Sequence, residues 1–201
     1  MEVKVLIIDN FDSFTYNLVQ IVKESKGCTF NVVQTDQLSF ETPAGYDGII
    51  ISPGPGVPSE TPLLKKIIRH YENGKSILGI CLGHQAITEA YGGQLNNLRM
   101  VFHGVKQKIV VTEPSDYLFR NVPETFYGGL YHSWEAERLS FPAVLKITAI
   151  SEHQIIMAFS HKQFDVRGVQ FHPESYMTEH GKLIINNWLE HLRLKQMQFI
   201  L

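Results

Sequence analysis

The sequence predicts an α/β fold, a three-layer α/β/α sandwich around a largely parallel central sheet, with a small added β-region. Three observations support this prediction. Short apolar runs alternate with segments of helical period, a pattern typical of a parallel sheet covered by helices. Several runs are apolar at nearly every position, as strands buried on both faces are. Unusual turns, rich in polar residues or in glycine and proline, directly follow four of the predicted strands.

Composition supports one globular domain spanning residues 1–201. Apolar residues make up 44% of the chain and charged residues 19%, which suits a compact protein with a substantial core. The net charge of -2 gives no general attraction to nucleic acid or anionic lipid, so we expect neither as a partner. The start lacks a secretory signal, and its apolar run is far shorter than the roughly 20 residues that cross a membrane. Cys28 and Cys81 are the only cysteines, so we expect no disulfide framework and a cytoplasmic location.

The first half of the chain contains the clearest strands and helices. Residues 3–8 are apolar at nearly every position and predict a buried strand. Residues 13–26 predict a helix, with Leu18, Ile21 and Val22 on one side and Gly27 as its stop. The same rules predict strands at residues 30–34, 48–51 and 76–80 and helices at residues 62–72 and 83–91.

The pattern changes in the second half. Residues 95–157 contain short runs of extended character, including 107–112 and 144–150. We expect this segment to form the added β-region, antiparallel in character, on one side of the sheet. A late strand at 166–171 and an amphipathic helix at 181–195 complete the prediction.

The four unusual turns indicate where to look for a site. If the strands before them are parallel, the turns share the carboxyl edge of the sheet, where α/β folds bind ligands. The turns are residues 9–12 (DNFD), 52–56 (SPGPG), 81–85 (CLGHQ) and 172–175 (HPES).

The strongest chemical signal is Gly79-Ile80-Cys81-Leu82-Gly83, between a predicted strand and a predicted helix. It has the form of a nucleophile elbow, with cysteine in place of serine. The helix N-terminus favours a thiolate at Cys81. An isolated cysteine is more often a buried structural residue, but the flanking glycines favour a nucleophile. Cys28 has no such setting.

A mostly protonated thiol needs a base. His172 ends a predicted strand, and Glu174 follows two residues later, on the same side of an extended segment. Glu174 can therefore orient His172 while His172 addresses Cys81, in the order nucleophile, base and orienter. The backbone N–H groups of Leu82 and Gly54 are candidate donors for the oxyanion of an acyl transfer.

Together these segments resemble the class I, triad-type glutamine amidotransferases. The resemblance is closest to the glutaminase subunits of anthranilate synthase and aminodeoxychorismate (para-aminobenzoate) synthase. The segments that carry it are residues 9–15 (DNFDSFT), 52–56 (SPGPG), 79–85 (GICLGHQ), 103–104 (HG), 131–133 (YHS), 168–175 (GVQFHPES) and 178–181 (TEHG). It implies a flavodoxin-like fold and no cofactor.

The resemblance also implies a reaction and a substrate site. L-Glutamine would be hydrolysed to glutamate and ammonia through a thioester on Cys81, with His172 and Glu174 completing the triad. Gly54 and Leu82 match the family's oxyanion donors, and Gln85, Ser133 and Trp134 match positions that bind the amino-acid end of the substrate. Many relatives have leucine where Trp134 stands, and residues 100–107 (MVFHGVKQ) also depart from the family pattern.

The resemblance further implies a partner, a separate chorismate-using synthase subunit (component I) that receives the ammonia. We favour anthranilate synthase, with aminodeoxychorismate synthase as the alternative, because both groups share these motifs. Candidate contacts are residues 9–15 and the loops near Phe102 and Tyr131.

Three other hypotheses remain: a thiol hydrolase that is not an amidotransferase, a catalytically inert regulatory module, and a metal site. The first would need neither Gln85 nor the turn at Gly54. The second has to accommodate a complete set of triad residue types. The third is disfavoured because the histidines lie on separate elements without ligand spacing.

Overall fold

The computed structural model describes residues 2–98 and 101–198. Eleven strands are described: β1 (Val3–Asp9), β2 (Cys28–Gln34), β3 (Gly48–Ile51), β4 (Ser76–Ile80), β5 (Leu95–Asn97), β6 (Val105–Val111), β7 (Thr125–Leu130), β8 (Trp134–Ala136), β9 (Leu145–Ser151), β10 (Ile156–His161) and β11 (Val166–Val169). The α-helices described are α1 (Thr15–Glu24), α2 (Pro62–Tyr71), α3 (Leu82–Ala90) and α4 (Gly181–Gln198).

Nine of these strands form one sheet in the order β2-β1-β3-β4-β11-β10-β9-β6-β7. The first five are parallel to one another. The last four extend the sheet with antiparallel pairings, and β5 and β8 form a separate antiparallel pair. The predicted α/β fold is therefore confirmed, and the added β-region continues one edge of the central sheet.

Two apolar clusters cover the two faces of the sheet, because successive side chains of a strand point to opposite faces. On β1, Ile7 belongs to the cluster with α1 and α4, whereas Ile8 belongs to the cluster with α2 and α3. Trp188 of α4 is completely buried against Gly48, where a Cβ atom would lie 2.7 Å from the indole ring. Each fully buried apolar side chain contributes roughly 1.5–3 kcal/mol, so the alternating pattern specifies a three-layer sandwich.

Some boundaries differ from the sequence prediction for identifiable reasons. Helix α1 begins at Thr15 rather than at residue 13, because the preceding turn is closed by its own side chains. Asp9 accepts a hydrogen bond from the Thr15 hydroxyl, and Asp12 accepts one from the backbone N–H of Phe14. Strand β11 ends at Val169 rather than at residue 171, because its parallel partner β4 ends opposite it at Ile80.

Among the described residues, no helix is both long and apolar enough to cross a membrane. Cys28 and Cys81 are free thiols, as predicted.

Candidate active site

The four predicted turns lie side by side. Strands β1, β3, β4 and β11 are adjacent in the sheet and parallel, so the turns that follow them meet at one carboxyl edge. Residues far apart in the chain are therefore neighbours here, and the edge combines a thiol, an imidazole, carboxylates and a glycine-rich turn.

Cys81 occupies a strained elbow between β4 and α3. Its backbone has φ 49° and ψ −98°, a conformation that costs a cysteine on the order of 1–3 kcal/mol. A Cβ atom at Gly79 would lie 2.4 Å from the carbonyl carbon of Gly83, and one at Gly83 would lie 2.5 Å from the Ile51 carbonyl oxygen. Both glycines are thus required by close backbone contacts, which explains the spacing seen in the sequence.

The elbow places Cys81 at the N-terminus of α3, where the first backbone N–H groups have no partner within the helix. The N–H of Leu82 is the first of them. Together with the positive end of the helix dipole, these groups favour negative charge on or near the sulfur. Leu82 is therefore placed as the sequence analysis expected of an oxyanion donor.

His172 and Glu174 form a buried pair. Nδ1 of His172 donates a 2.7 Å hydrogen bond to Glu174, and both side chains are almost inaccessible to solvent. The imidazole ring packs edge-on against Phe14 and Tyr131, with ring centroids 5.7 and 4.9 Å away. One nitrogen of His172 is thus committed to its carboxylate, and Nε2 is left to face the reaction.

Cys81 and His172 interact across the edge. Burial lowers the pKa of His172, but the Cys81 sulfur and the Glu174 carboxylate outweigh that effect and raise the pKa well above its ordinary value. Nε2 of His172 has no hydrogen bond of regular geometry to any residue that the structure describes. Such catalytic contacts often tighten only when substrate is bound. The structure therefore brings together the predicted nucleophile, base and orienter.

Asp12 also reaches this pair, which the sequence analysis did not anticipate. One potential ligand atom each from Asp12, His172 and Glu174 lie within 4.8 Å of one another. Asp12 stands in one of the four edge turns, so only its distance from His172 was hidden from the sequence. The three groups could accommodate a cation, and the expectation of no metal stays a prediction.

The turn at Gly54 is held by Asn10. The side-chain amide of Asn10 donates 2.9 Å to the Ser52 carbonyl, and its backbone N–H donates 2.9 Å to the Ser52 hydroxyl. A Cβ atom at Gly54 would lie only 2.5 Å from the Cβ of Asn10. Asn10 therefore positions the second expected oxyanion donor, a role that the sequence analysis did not assign.

A cavity of about 160 Å³ opens beside the sulfur. Five of the predicted site residues line it, together with Pro55, Gly56, Tyr131 and His132: these five are Gly54, Cys81, Gln85, Ser133 and Trp134. Leu82 lines a neighbouring cavity with Asn10 and Thr35 instead. All residues predicted to bind the amino-acid end of a substrate thus surround one space next to the nucleophile.

Backbone and amide groups organise the far wall of this cavity. The carbonyl of Trp134 accepts 2.9 Å hydrogen bonds from Nε2 of Gln85 and from Nδ1 of His132. Burial lowers the pKa of His132 to about 4, so the imidazole is neutral near pH 7. Strand β8, which begins at Trp134, is paired in register with Asn97 of β5. The position of this carbonyl therefore depends on backbone pairing rather than on the indole ring.

Gln170 was missed by the sequence analysis. It is completely buried, and its Nε2 atom lies 3.5 Å from the Cys81 sulfur. The signal that could have found it is its spacing of two residues from His172, because such residues of an extended segment share a side.

The departure from the family pattern at residues 100–107 falls partly outside the described residues, since Met100 is not among them. The part that the structure describes is tied to the cavity wall: Phe102 donates a backbone hydrogen bond of 2.9 Å to His132, and Gly104 donates one of 3.0 Å to Leu130.

Comparisons with known proteins agree with this geometry. The family model "Glutamine amidotransferase class-I" matches residues 6–192. The chain is 44% identical over 186 residues to the putative anthranilate synthase component II of Haemophilus influenzae, covering 92% of this chain and 95% of that protein. It is 41% identical over 190 residues to aminodeoxychorismate synthase component 2 of Escherichia coli, covering 92% and 98%. The crystal structure of a putative GMP synthase protein from Thermoplasma acidophilum matches with a TM-score of 0.87 at 24% identity over 98% of both chains, a likeness that concerns the fold alone.

Proposed function

Because the chain belongs to the class-I glutamine amidotransferase family, we propose that it hydrolyses L-glutamine at Cys81 and delivers the ammonia to a separate chorismate-using synthase subunit. The observation that carries this proposal is the convergence of the Cys81 sulfur with the His172–Glu174 pair beside a small cavity. We further propose that residues 1–201 act as one domain. The two free thiols suit a reducing cytoplasmic location.

The reaction would proceed in two steps. The Cys81 thiolate attacks the γ-amide carbon, the carbon–nitrogen bond breaks, and protonated His172 gives its proton to the leaving ammonia. Water then attacks the thioester while His172 accepts its proton, and the sulfur–carbon bond breaks to release glutamate. Glu174 holds the imidazole throughout.

Backbone donors would stabilise the oxyanion formed in each step. The N–H groups of Leu82 and Gly54 are held by the start of α3 and by Asn10, respectively. Rigid donors of this kind are worth roughly 10²–10³ in turnover each. Their preorganisation explains why the elbow and the turn at Gly54 tolerate so little extra volume.

Gln85, Ser133 and Trp134 would bind the α-amino and α-carboxylate groups of glutamine. Both N–H groups of Gln85 are engaged by Trp134 and Gln170, whereas its Oε1 atom accepts no hydrogen bond from the residues that the structure describes. An ammonium group in the cavity is a suitable donor to this oxygen.

The partner would cover the carboxyl edge of the sheet. Tyr16 and Tyr176 are 80% and 88% exposed, and Asn17 donates to the Glu174 carbonyl at 3.5 Å, so the start of α1 adjoins the turn that carries the triad. Exposed aromatic side chains are enriched at interfaces. A closed interface here would keep ammonia from protonation by bulk water.

Anthranilate synthase is the proposed partner, in line with the name of the Haemophilus influenzae relative. The name of the Escherichia coli relative supports aminodeoxychorismate synthase as the second candidate. Identification of the aminated product formed by the purified complex distinguishes the two.

The test is a pair of thiol substitutions in the complex of this chain with its synthase partner. Cys81→Ser should abolish glutamine-dependent product while sparing the product formed from added ammonium salt, and Cys28→Ser should affect neither. Equal loss of both reactions in Cys81→Ser would mean that Cys81 is mainly structural, and retention of both would refute the proposed nucleophile.

A further inference from the structure

Three groups form a chain of hydrogen bonds that ends at the nucleophile. Nε2 of Gln85 donates to the Trp134 carbonyl at 2.9 Å and to Oε1 of Gln170 at 3.3 Å. Nε2 of Gln170 in turn lies 3.5 Å from the Cys81 sulfur, a normal length for a hydrogen bond to sulfur. Gln85 and Gln170 are both almost inaccessible to solvent, so water does not compete for these bonds.

The direction of this chain is determined by its fixed end. A backbone carbonyl can only accept hydrogen bonds, so the Trp134 carbonyl requires Gln85 to present its NH₂ group. That NH₂ group also faces Gln170 and therefore requires the oxygen of Gln170 on the near side. The NH₂ group of Gln170 is then turned toward Cys81, because the two ends of an amide are opposite in character.

We propose that Gln170 is a positioning residue that donates a hydrogen bond to the Cys81 thiolate, and that Gln85 sets the orientation of this donor from the substrate-binding wall. The inference rests on the proposed glutaminase function for its substrate, but the state of the sulfur can be measured without glutamine. Gln85 would thus act twice, on the substrate directly and on the sulfur through Gln170.

The donor matters because Cys81 is buried. The residue is 5% exposed, so few water molecules can stabilise negative charge on its sulfur, and protein donors have to replace them. Hydrogen bonds to charged groups are stronger than those between neutral groups. Backbone hydrogen bonds also fix the distance: Cys81 donates its backbone N–H to the Val169 carbonyl at 2.8 Å, and Gln170 donates to the Met157 carbonyl at 2.8 Å.

The first experiment measures the rate at which chloroacetamide alkylates Cys81 in a Cys28→Ser background. Chloroacetamide is small and lacks the amino-acid end, so its reaction does not require binding by Gln85. Gln170→Met, which keeps the length but removes the donor, should slow alkylation near pH 7 by about ten- to a hundredfold. The matched control is Gln107→Met, since Gln107 is also buried and contacts neither Cys81 nor Gln85 through a hydrogen bond in the described part of the chain; it should react like the unsubstituted protein.

The second experiment tests the chain of bonds itself. Gln85→Met should also slow alkylation of a sulfur that it does not touch, because the Gln170 amide loses the group that orients it. The double variant should be about as slow as Gln170→Met alone, since both changes remove the same bond. In glutamine hydrolysis by the intact complex, Gln170→Met should lower kcat with little change in KM, and Gln85→Met should change both.

Two results would overturn the inference. One is alkylation of Gln170→Met at the rate of the unsubstituted protein. The other is a double variant whose rate loss is the product of the two single losses. Either result can occur in a fully active glutaminase, so failure of this inference is distinct from failure of the proposed function. Circular dichroism and the urea midpoint of each variant show whether slow reaction reflects unfolding, and a folded Gln170→Met that reacts slowly supports the proposal.

Discussion

Glu174 accepts a 2.7 Å hydrogen bond from Nδ1 of His172, with only Pro173 between the two residues in the chain. Both side chains are buried, so their mutual attraction is weakly screened. The bond leaves Nε2 of His172 as the nitrogen that can exchange a proton with Cys81. The pair is thus prepared by local sequence, whereas its use depends on a residue ninety-one positions earlier.

The two members of this pair should differ in their effect on glutamine hydrolysis. His172→Ala should reduce kcat by at least about 10³-fold, as severely as loss of the thiol, because the members of a triad act as a unit. Glu174→Gln should be milder, since glutamine can still occupy the site without transferring a proton. Initial rates of glutamate release from the complex provide the measurement. Activity of Glu174→Gln as low as that of His172→Ala would contradict this division of roles.

The elbow should tolerate no side chain at Gly83. In Gly83→Ala, the new methyl group would lie 2.5 Å from the Ile51 carbonyl oxygen, and separating α3 from β3 should lower the free energy of unfolding by about 1–3 kcal/mol. The matched control is Gly74→Ala, where a Cβ atom meets nothing within 4 Å. Urea titrations of both variants measure the difference. Equal stability of the two would show that strand and helix can separate at no cost.

His84 should make the folded state sensitive to acid. Burial, reinforced by the nearby His132, lowers the pKa of His84 from 6.5 to about 3, and its ring packs on Phe159 with centroids 4.6 Å apart. The unfolded chain therefore binds a proton below about pH 6.5 that the folded chain does not. The free energy of unfolding should fall as the pH decreases below that value, by up to about 1.4 kcal/mol per pH unit from this group.

This acid sensitivity can be checked with His84→Leu. Urea titrations of both proteins from about pH 7 to about pH 5 should show a smaller decrease in unfolding free energy for the variant, because the proton-binding group is gone. His132 shifts in the same direction and remains in both, so some decrease should persist. Parallel curves for the two proteins would mean that His84 is protonated in the folded state.

Trp134 should matter through its carbonyl rather than its indole ring. Trp134→Leu leaves the carbonyl that accepts from Gln85 and His132, and the pairing with Asn97 holds the backbone. The KM for glutamine should therefore stay close to that of the unsubstituted protein, whereas Gln85→Met should raise it by about tenfold or more. Steady-state kinetics of the two variants decide the matter. An equal rise in KM would show that the indole ring contacts the substrate.

Much of the site was accessible from the sequence because its strongest features are local. The elbow at Cys81 is marked by Gly79 and Gly83, whose lack of side chains is required by backbone contacts within a few residues or with the adjacent strand. His172 and Glu174 are marked by a spacing of two. Asn10, Asp12 and Gln170 were not assigned roles, since an amide or carboxylate shows its function only through the groups that it meets.

The sequence by itself determined which strands are buried, where the chain turns, and that a nucleophile, a base and a glycine-rich turn follow parallel strands. Periodicity and glycine spacing encode these features, since they arise from interactions over a few residues. Only the tertiary structure decided that β4 and β11 are neighbours, that Gln170 reaches the Cys81 sulfur, and that Asp12 approaches His172. Those relationships depend on strand order and on side-chain packing across the sheet edge, which no local pattern in the chain specifies.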